Sequence, residues 1–277
     1  MKLSLRNGYL ERPGPLVMGI LNVTPDSFSD PGRFFAPEAA LAHAREMAEA
    51  GADIIDVGGE STRPGSRPVG MDEEIDRVLP VISRIKEETG ILVSIDTSKE
   101  EVARRAVEEG GADIVNDISA LRFSERMAQV VAELGVPVVL MHIQGTPETM
   151  QRDPSYIDVV AEVADYFQER IEFAQAHGVR REKIILDPGI CFGKRLEDNV
   201  ALLRNLKRFA AFDLPLLVGV SRKSFLGLLA GEKLPERREA ETVAANLVAA
   251  RNGAAILRVH DVAAAVKALK VWKSLAE

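Results

Sequence analysis

An arginine and a histidine close an apolar run near the end of the chain, in "AAILRVHD". A core strand gains nothing from a desolvated guanidinium, so Arg258 and His260 either surface at a strand end or meet an anion. Asp261 is placed to cap the segment that follows, "DVAAAVKALK". Seven other apolar runs also end on polar groups: Asn22, Asp56, Asp96, Asn116, His142, Asp187 and Lys223. Singly, each reads as a helix cap or a surface residue. Together they read as a rim of carboxylates, carboxamides and cations suited to a polar, partly anionic ligand.

Two segments beside these residues have the composition of lids. "NVTPDSFSDPGRF" and "GGESTRPGSRPVG" are rich in Gly, Pro and hydroxyl residues, and the second carries Arg63 and Arg67. In "SRKSFLG", Lys223 sits at a strand end and Ser224 opens a helix, whose N–H groups favour a carboxylate or phosphate. Other chemistries lack their signatures. The chain has no H-x-H after the first strand of the series, no H-E-x-x-H and no nucleophile elbow. Cys191, without a histidine nearby, reads as a packed thiol. His43 and His177 fall in helical segments as surface or packing residues.

The elements that must position the rim alternate along the chain. Eight short apolar runs read as strands: "LVMGIL", "DIIDVG", "ILVSID", "DIVND", "PVVLMH", "KIILDP", "PLLVGV" and "AAILRV". They are continuous rather than alternating, as parallel strands covered on both faces should be. Amphipathic segments separate them, several ending in glycine. An echo runs through the series: "GADIID" (51–56), "GADIVN" (111–116) and "GAAILR" (253–258) each lead from a helix into a strand. Equal offsets place Asp56, Asn116 and Arg258 at equal heights, which makes Asp56 a candidate for the pocket floor, orienting a cation such as Arg63. Eight strands and eight helices predict an α/β fold, a (β/α)8 TIM barrel forming one domain over residues 1–277, preceded by a short N-terminal β-hairpin. An open doubly wound sheet competes, but no G-x-G-x-x-G follows the first strand of the series.

Bulk composition narrows the class. A net charge of −7 without a basic stripe argues against nucleic acid, and no apolar run approaches a membrane span. The start of the chain lacks the apolar core of a signal peptide, and one cysteine allows no internal disulfide. The expectation is a cytoplasmic protein with small-molecule partners.

In order, "NVTPDSFSD", "DVGGESTRPG", "SIDTSK", "VNDIS", "LMHIQGTPETMQ", "DPGICFGK", "GVSRKSFLG" and "RVHDV" resemble the motif set of the dihydropteroate synthase family over nearly the whole chain. The resemblance implies a homodimeric barrel of folate biosynthesis. Such an enzyme joins 6-hydroxymethyl-7,8-dihydropterin diphosphate to 4-aminobenzoate, releases pyrophosphate with Mg²⁺ assisting, and is a target of sulfonamides. It further implies roles for single positions. Asn22 resembles the Mg²⁺ ligand, and Asp96, Asn116, Asp187 and Lys223 the pterin-recognition set, with Met141 packing on the pterin face. Thr62, Arg258 and His260 resemble the residues that engage the diphosphate. Arg63, Phe192, Lys223 and Ser224 would surround the aminobenzoate. Asp96, Lys223, Arg258 and His260 are thus the expected catalytic residues. Two positions depart from the family pattern: Pro31 and Cys191 stand where the family more often has glycine. A methyltetrahydrofolate-dependent methyltransferase would share the pterin-gripping residues but expel no pyrophosphate, and a non-catalytic paralogue would have lost members of the anion set.

Overall fold

A two-residue period governs everything the strands do. In a computed structural model describing residues 2–24, 36–61 and 68–276, eight parallel strands run in one sheet. They are β3 (Leu16–Asn22), β4 (Ile54–Gly58), β5 (Leu92–Asp96), β6 (Ile114–Asp117), β7 (Val138–Met141), β8 (Ile184–Asp187), β9 (Leu217–Val218) and β10 (Ile256–Val259). Each pairs with its neighbours in chain order, and β10 pairs with β3. The remaining gap closes where Leu186 bridges Leu216 and its N–H donates to the Pro215 carbonyl at 2.9 Å. The sheet is therefore a nearly closed barrel, with one bridge spanning its last seam, and not the open doubly wound sheet.

Alternate residues of each strand serve different cores. Ile55, Val57, Val93, Val115, Leu140, Leu186, Val218 and Leu257 face outward into a large cluster shared with the helices. Leu16, Met18, Ile54, Ile114, Val139, Ile185, Leu217 and Ile256 face inward as a separate cluster within the barrel. Both faces being buried explains why the strands read as unbroken apolar runs.

The predicted hairpin forms from β1 (Lys2–Ser4) and β2 (Tyr9–Glu11), which pair antiparallel. Leu3, 1% exposed, joins the inward cluster, so the hairpin plugs the end of the barrel away from the polar rim. The Lys183 ammonium donates to the Leu5 carbonyl and ties the plug down.

Helices pack around the outside: α1 (Ala36–Glu49), α2 (Met71–Thr89), α3 (Glu100–Glu108), α4 (Met127–Leu134), α5 (Val159–Ala176), α6 (Leu196–Asn205), α7 (Ser224–Ala230), α8 (Glu239–Arg251) and α9 (Val262–Ala276). The alternation predicted eight, and among the described residues there are nine; the addition is α7, the short turn that Ser224 opens. Asp261 caps α9 as expected, its Oδ1 accepting from Ala264 N–H at 2.8 Å. No helix among the described residues is long and apolar enough to cross a membrane.

Candidate active site

The inward rows that build the barrel core also build the site. Two residues beyond the apolar layer, each strand presents its next inward side chain: Asp56 after Ile54, Asn116 after Ile114, Asp187 after Ile185 and Arg258 after Ile256. Asp96 follows the buried Ser94 in the same way. A change from apolar to polar at one height, repeated round the ring, turns a packed core into a polar floor at the C-terminal ends of the strands.

Hydrogen bonds knit that floor together. Arg258 Nε donates to Asp56 Oδ2 at 2.6 Å, and Nη2 donates to Asp96 Oδ2 at 2.8 Å. Asn116 Nδ2 donates to the same Asp56 oxygen at 3.0 Å. The echoed residues thus converge on one atom. Asp56 is fully buried and, as a residue of the pocket floor, orients a cation, here Arg258. Thr62 and Arg63 lie outside the described residues. A carboxylate only accepts, so it also fixes which way the Asn116 amide faces.

Burial pushes the Asp96 carboxyl up to about 7, against the pull of Arg258 and with a push from Asp56. Burial likewise raises Asp187 to about 6, opposed by the Gly189 N–H and the Lys223 cation. Gly189 N donates to Asp187 Oδ1 at 2.7 Å. That contact explains the "DPG" triplet: Gly189 has φ +64°, and a Cβ there would lie 1.9 Å from the His142 carbonyl oxygen. Only glycine can turn the chain so close to β7.

The opposite wall is mixed. Lys223 Nζ lies 4.2 Å from the centroid of the Phe192 ring, and desolvation lowers its pKa. Phe192 packs against Ile118, Met141, Ile143 and Met150. Met141 is therefore part of an apolar wall beside Asp187, its register partner on β8. Ser224 stands exposed at the rim, its Oγ 3.9 Å from Cys191 Sγ. His260 is held through Nδ1 by Ser221 Oγ at 2.9 Å. Asn22 ends β3 beside Gly58, where a Cβ would lie 3.7 Å from Asn22 Oδ1 and 3.8 Å from Asp96 Oδ2. A cavity of about 340 Å³ opens next to Asp96, with Thr97, Ile118 and Thr146 in its walls.

His142, expected on the rim, is turned away from it, and two lysines support the site from behind. His142 follows the inward-facing Met141 and so points away from the mouth; its ring packs edge-on against Tyr166 at 4.8 Å. Lys194 lies buried behind the site, with His142 as a partner. Lys99 joins the carboxylates of Glu60 and Glu74, tying the base of the loop after β4 to the loop after β5 and to α2. The quoted motifs contain all three residues, but nothing in their types marks them as supports.

The family model of pterin binding enzymes matches residues 18–260. The dihydropteroate synthase of Escherichia coli K12 is 50% identical over 272 residues, covering 98% of this chain and 95% of that protein. The chain belongs to the dihydropteroate synthase family of pterin binding enzymes. Solved structures agree with this family's architecture. Xanthomonas albilineans dihydropteroate synthase with 4-aminobenzoic acid superposes with a TM-score of 0.93 at 48% identity, covering 99% of this chain and 98% of that one. The same enzyme in complex with 7,8-dihydropteroate gives a TM-score of 0.90 at 46% identity, covering 100% and 99%.

Proposed function

We propose that this family member is a dihydropteroate synthase in folate biosynthesis, a transferase that moves the pterin methylene from a diphosphate oxygen to the amine of 4-aminobenzoate. The observation that carries the reading is the floor: one guanidinium held between Asp56 and Asp96, with Asn116 and Asp187 on the same ring of strand ends.

The chemistry suits those groups. The bond from the methylene carbon to the bridging oxygen breaks, and its electron pair leaves with pyrophosphate. The dihydropterin ring stabilises the resulting cation, the arylamine nitrogen attacks it, and the nitrogen's proton passes to the released pyrophosphate or to solvent. An arylamine is nucleophilic while neutral, so no strong general base is needed. Asp187 and Asn116 would take the hydrogen-bonding edge of the pterin, and Met141 its face. Arg258 spends Nε and Nη2 on carboxylates, leaving Nη1 for a departing oxygen, with His260 beside it. Asp96 would face the methylene, where its ionised carboxylate would stabilise the developing positive charge. Lys223, Phe192 and Ser224, with Arg63, would hold the aminobenzoate, and Thr62 the diphosphate.

Mg²⁺ fits this donor set. No group of three or more His, Cys, Asp or Glu side chains among the described residues forms a metal cage. One carboxamide oxygen, Asn22 Oδ1, flanks the notch at Gly58, and Mg²⁺ commonly takes one or two protein oxygens plus phosphate oxygens and water. When bound, it would neutralise charge on the diphosphate.

A homodimer is part of the same proposal. Leu228 and Leu229 on α7 are 69% and 59% exposed, and Val248 on α8 is 46% exposed, giving the last third of the barrel an apolar flank. Sedimentation should find a dimer that Val248→Glu weakens. The cytoplasm is the matching compartment, where a lone thiol stays reduced.

The direct test mixes the protein with Mg²⁺, pterin diphosphate and 4-aminobenzoate and follows dihydropteroate and pyrophosphate. Equal release of both supports the reading. Binding of the diphosphate without release overturns it in favour of a non-catalytic paralogue. Failure to bind the diphosphate, with methyl transfer from methyltetrahydrofolate, overturns it in favour of a methyltransferase.

A further inference from the structure

Lys194 is 4% exposed, yet among the described residues its hydrogen-bond partners include no carboxylate. Its Nζ lies 2.8 Å from His142 Nδ1 and donates to the carbonyls of Gly189 (2.9 Å), Phe192 (3.0 Å) and His142 (3.4 Å). Burial and the adjacent Lys194 cation hold His142 neutral, so Nδ1 is the acceptor and the ring proton sits on Nε2.

The segment this ammonium grips is tightly turned and strained at one position. Gly189, Cys191 and Gly193 all have left-handed backbones, with φ of +64°, +68° and +65°. The two glycines take that conformation freely, but Cys191 between them does so at a cost and keeps it only where its surroundings hold it. The supported segment carries two site functions. The Gly189 N–H orients Asp187, and the Phe192 ring faces Lys223. A single buried cation therefore reaches both halves of the pocket through carbonyl oxygens.

We propose that Lys194, seated on His142, is a positioning residue for the synthase reaction: it clamps residues 189–193 against the end of β7, so that Asp187 meets the pterin and Phe192 lines the arylamine side. The assignment rests on the function proposed above. Lys194 touches no substrate; it acts through Gly189 and Phe192. Burial lowers its pKa to about 7, with Asp187, Cys191, Lys223 and Asp198 as its charged or titratable neighbours, and Arg122, Tyr156 and Tyr166 around His142.

The test compares Lys194→Met with the parent for turnover, binding of a pterin lacking the diphosphate, and hydrogen exchange at amides 189–193. Misplacing a binding group by about 1 Å costs on the order of a hundredfold. The expected result is faster exchange at 189–193, a pterin affinity at least about tenfold weaker and a raised KM for 4-aminobenzoate, with the melting transition still cooperative. Unchanged exchange and a pterin affinity within about twofold would overturn the assignment. Should Lys194→Met not fold, His142→Leu and His142→Gln decide: Gln keeps an acceptor for the ammonium and should restore binding, and equal behaviour of the two overturns the clamp. Exchange and pterin binding need no turnover, so a parent protein that makes no dihydropteroate defeats the functional reading while the clamp is judged separately.

Discussion

Arg258 Nε and Asp56 Oδ2 meet at 2.6 Å across 202 positions of chain, and Asn116 shares that oxygen. The contact gives a physical reason for the repeated glycine-alanine segments. Each repeat sets a strand to the same height, and the sixth residue of each then points inward at one level. Closure of the ring brings β4, β6 and β10 into mutual reach. The guanidinium at the end of "AAILRVHD" is therefore not stranded in a core. Two carboxylates hold it, one of them fully buried.

Removing that carboxylate should cost both stability and turnover. Asp56→Ala leaves Arg258 one partner and strips Asn116 Nδ2 of its acceptor. Because Arg258 is partly exposed, the expected loss lies at or below the lower end for a broken buried pair, roughly 2–3 kcal/mol. The freed guanidinium should lower kcat/KM about a hundredfold. Urea titration and steady-state kinetics check both, and parental values for both would remove Asp56 from the floor.

The pH profile of stability should carry a signature of Asp96. The folded protein keeps this proton up to about pH 7, whereas the unfolded chain releases it near 3.8. Between those values the native state binds more protons, so unfolding free energy falls as pH rises. Asp96→Asn cannot ionise and should lose that slope, gaining roughly 1 kcal/mol or more over the parent at pH 8 while losing activity. Urea midpoints of ligand-free protein from pH 4.5 to 8 decide; equal slopes would contradict the raised carboxyl.

Pterin recognition should titrate with Asp187. Burial holds its pKa near 6, and only the ionised form can accept two N–H groups from the ring edge. Binding of a pterin lacking the diphosphate should weaken as pH falls below about 6, and Asp187→Asn should be weak and flat across that range. Asn still accepts from Gly189 N–H, so the loop keeps its shape and the loss reports charge. A variant with the parent's pH dependence would place the titration elsewhere.

Much of this was legible in the sequence because burial on both faces leaves a simple mark. The continuous apolar runs located every barrel strand, and the polar residues at the ends of β4, β5, β6, β8 and β10 located the floor, whereas His142 turns away from it and Lys223 lies beyond the end of β9. Equal offsets gave height but not neighbours around the ring. Closure, which no single segment encodes, brings Arg258 to Asp56, and Arg63, the cation expected there, lies outside the described residues. His142 does not belong to the rim it was expected on, since counting by two from Val139 and Met141 turns it outward. Lys194 was not legible. A lysine after "CFG" reads as solvated, and only the fold reveals the carbonyls around it.

Cys191 offers the last test, because its backbone is left-handed at φ +68°. Holding a side chain there costs on the order of 1 kcal/mol, and glycine would relieve that while giving back about 0.4–1 kcal/mol through a freer unfolded chain. Cys191→Gly should therefore stay within about 1 kcal/mol of the parent, and Cys191→Val, branched at Cβ, should lose roughly 2 kcal/mol. The thiol also lies 3.9 Å from Ser224 Oγ, on the side assigned to the arylamine. The glycine variant should change KM for 4-aminobenzoate and sulfonamide inhibition while leaving KM for the pterin diphosphate alone. Urea melts and two-substrate kinetics measure both effects. Equal stability of the Gly and Val variants would contradict the strain, and a shift confined to the pterin KM would move Cys191 to the other half of the pocket.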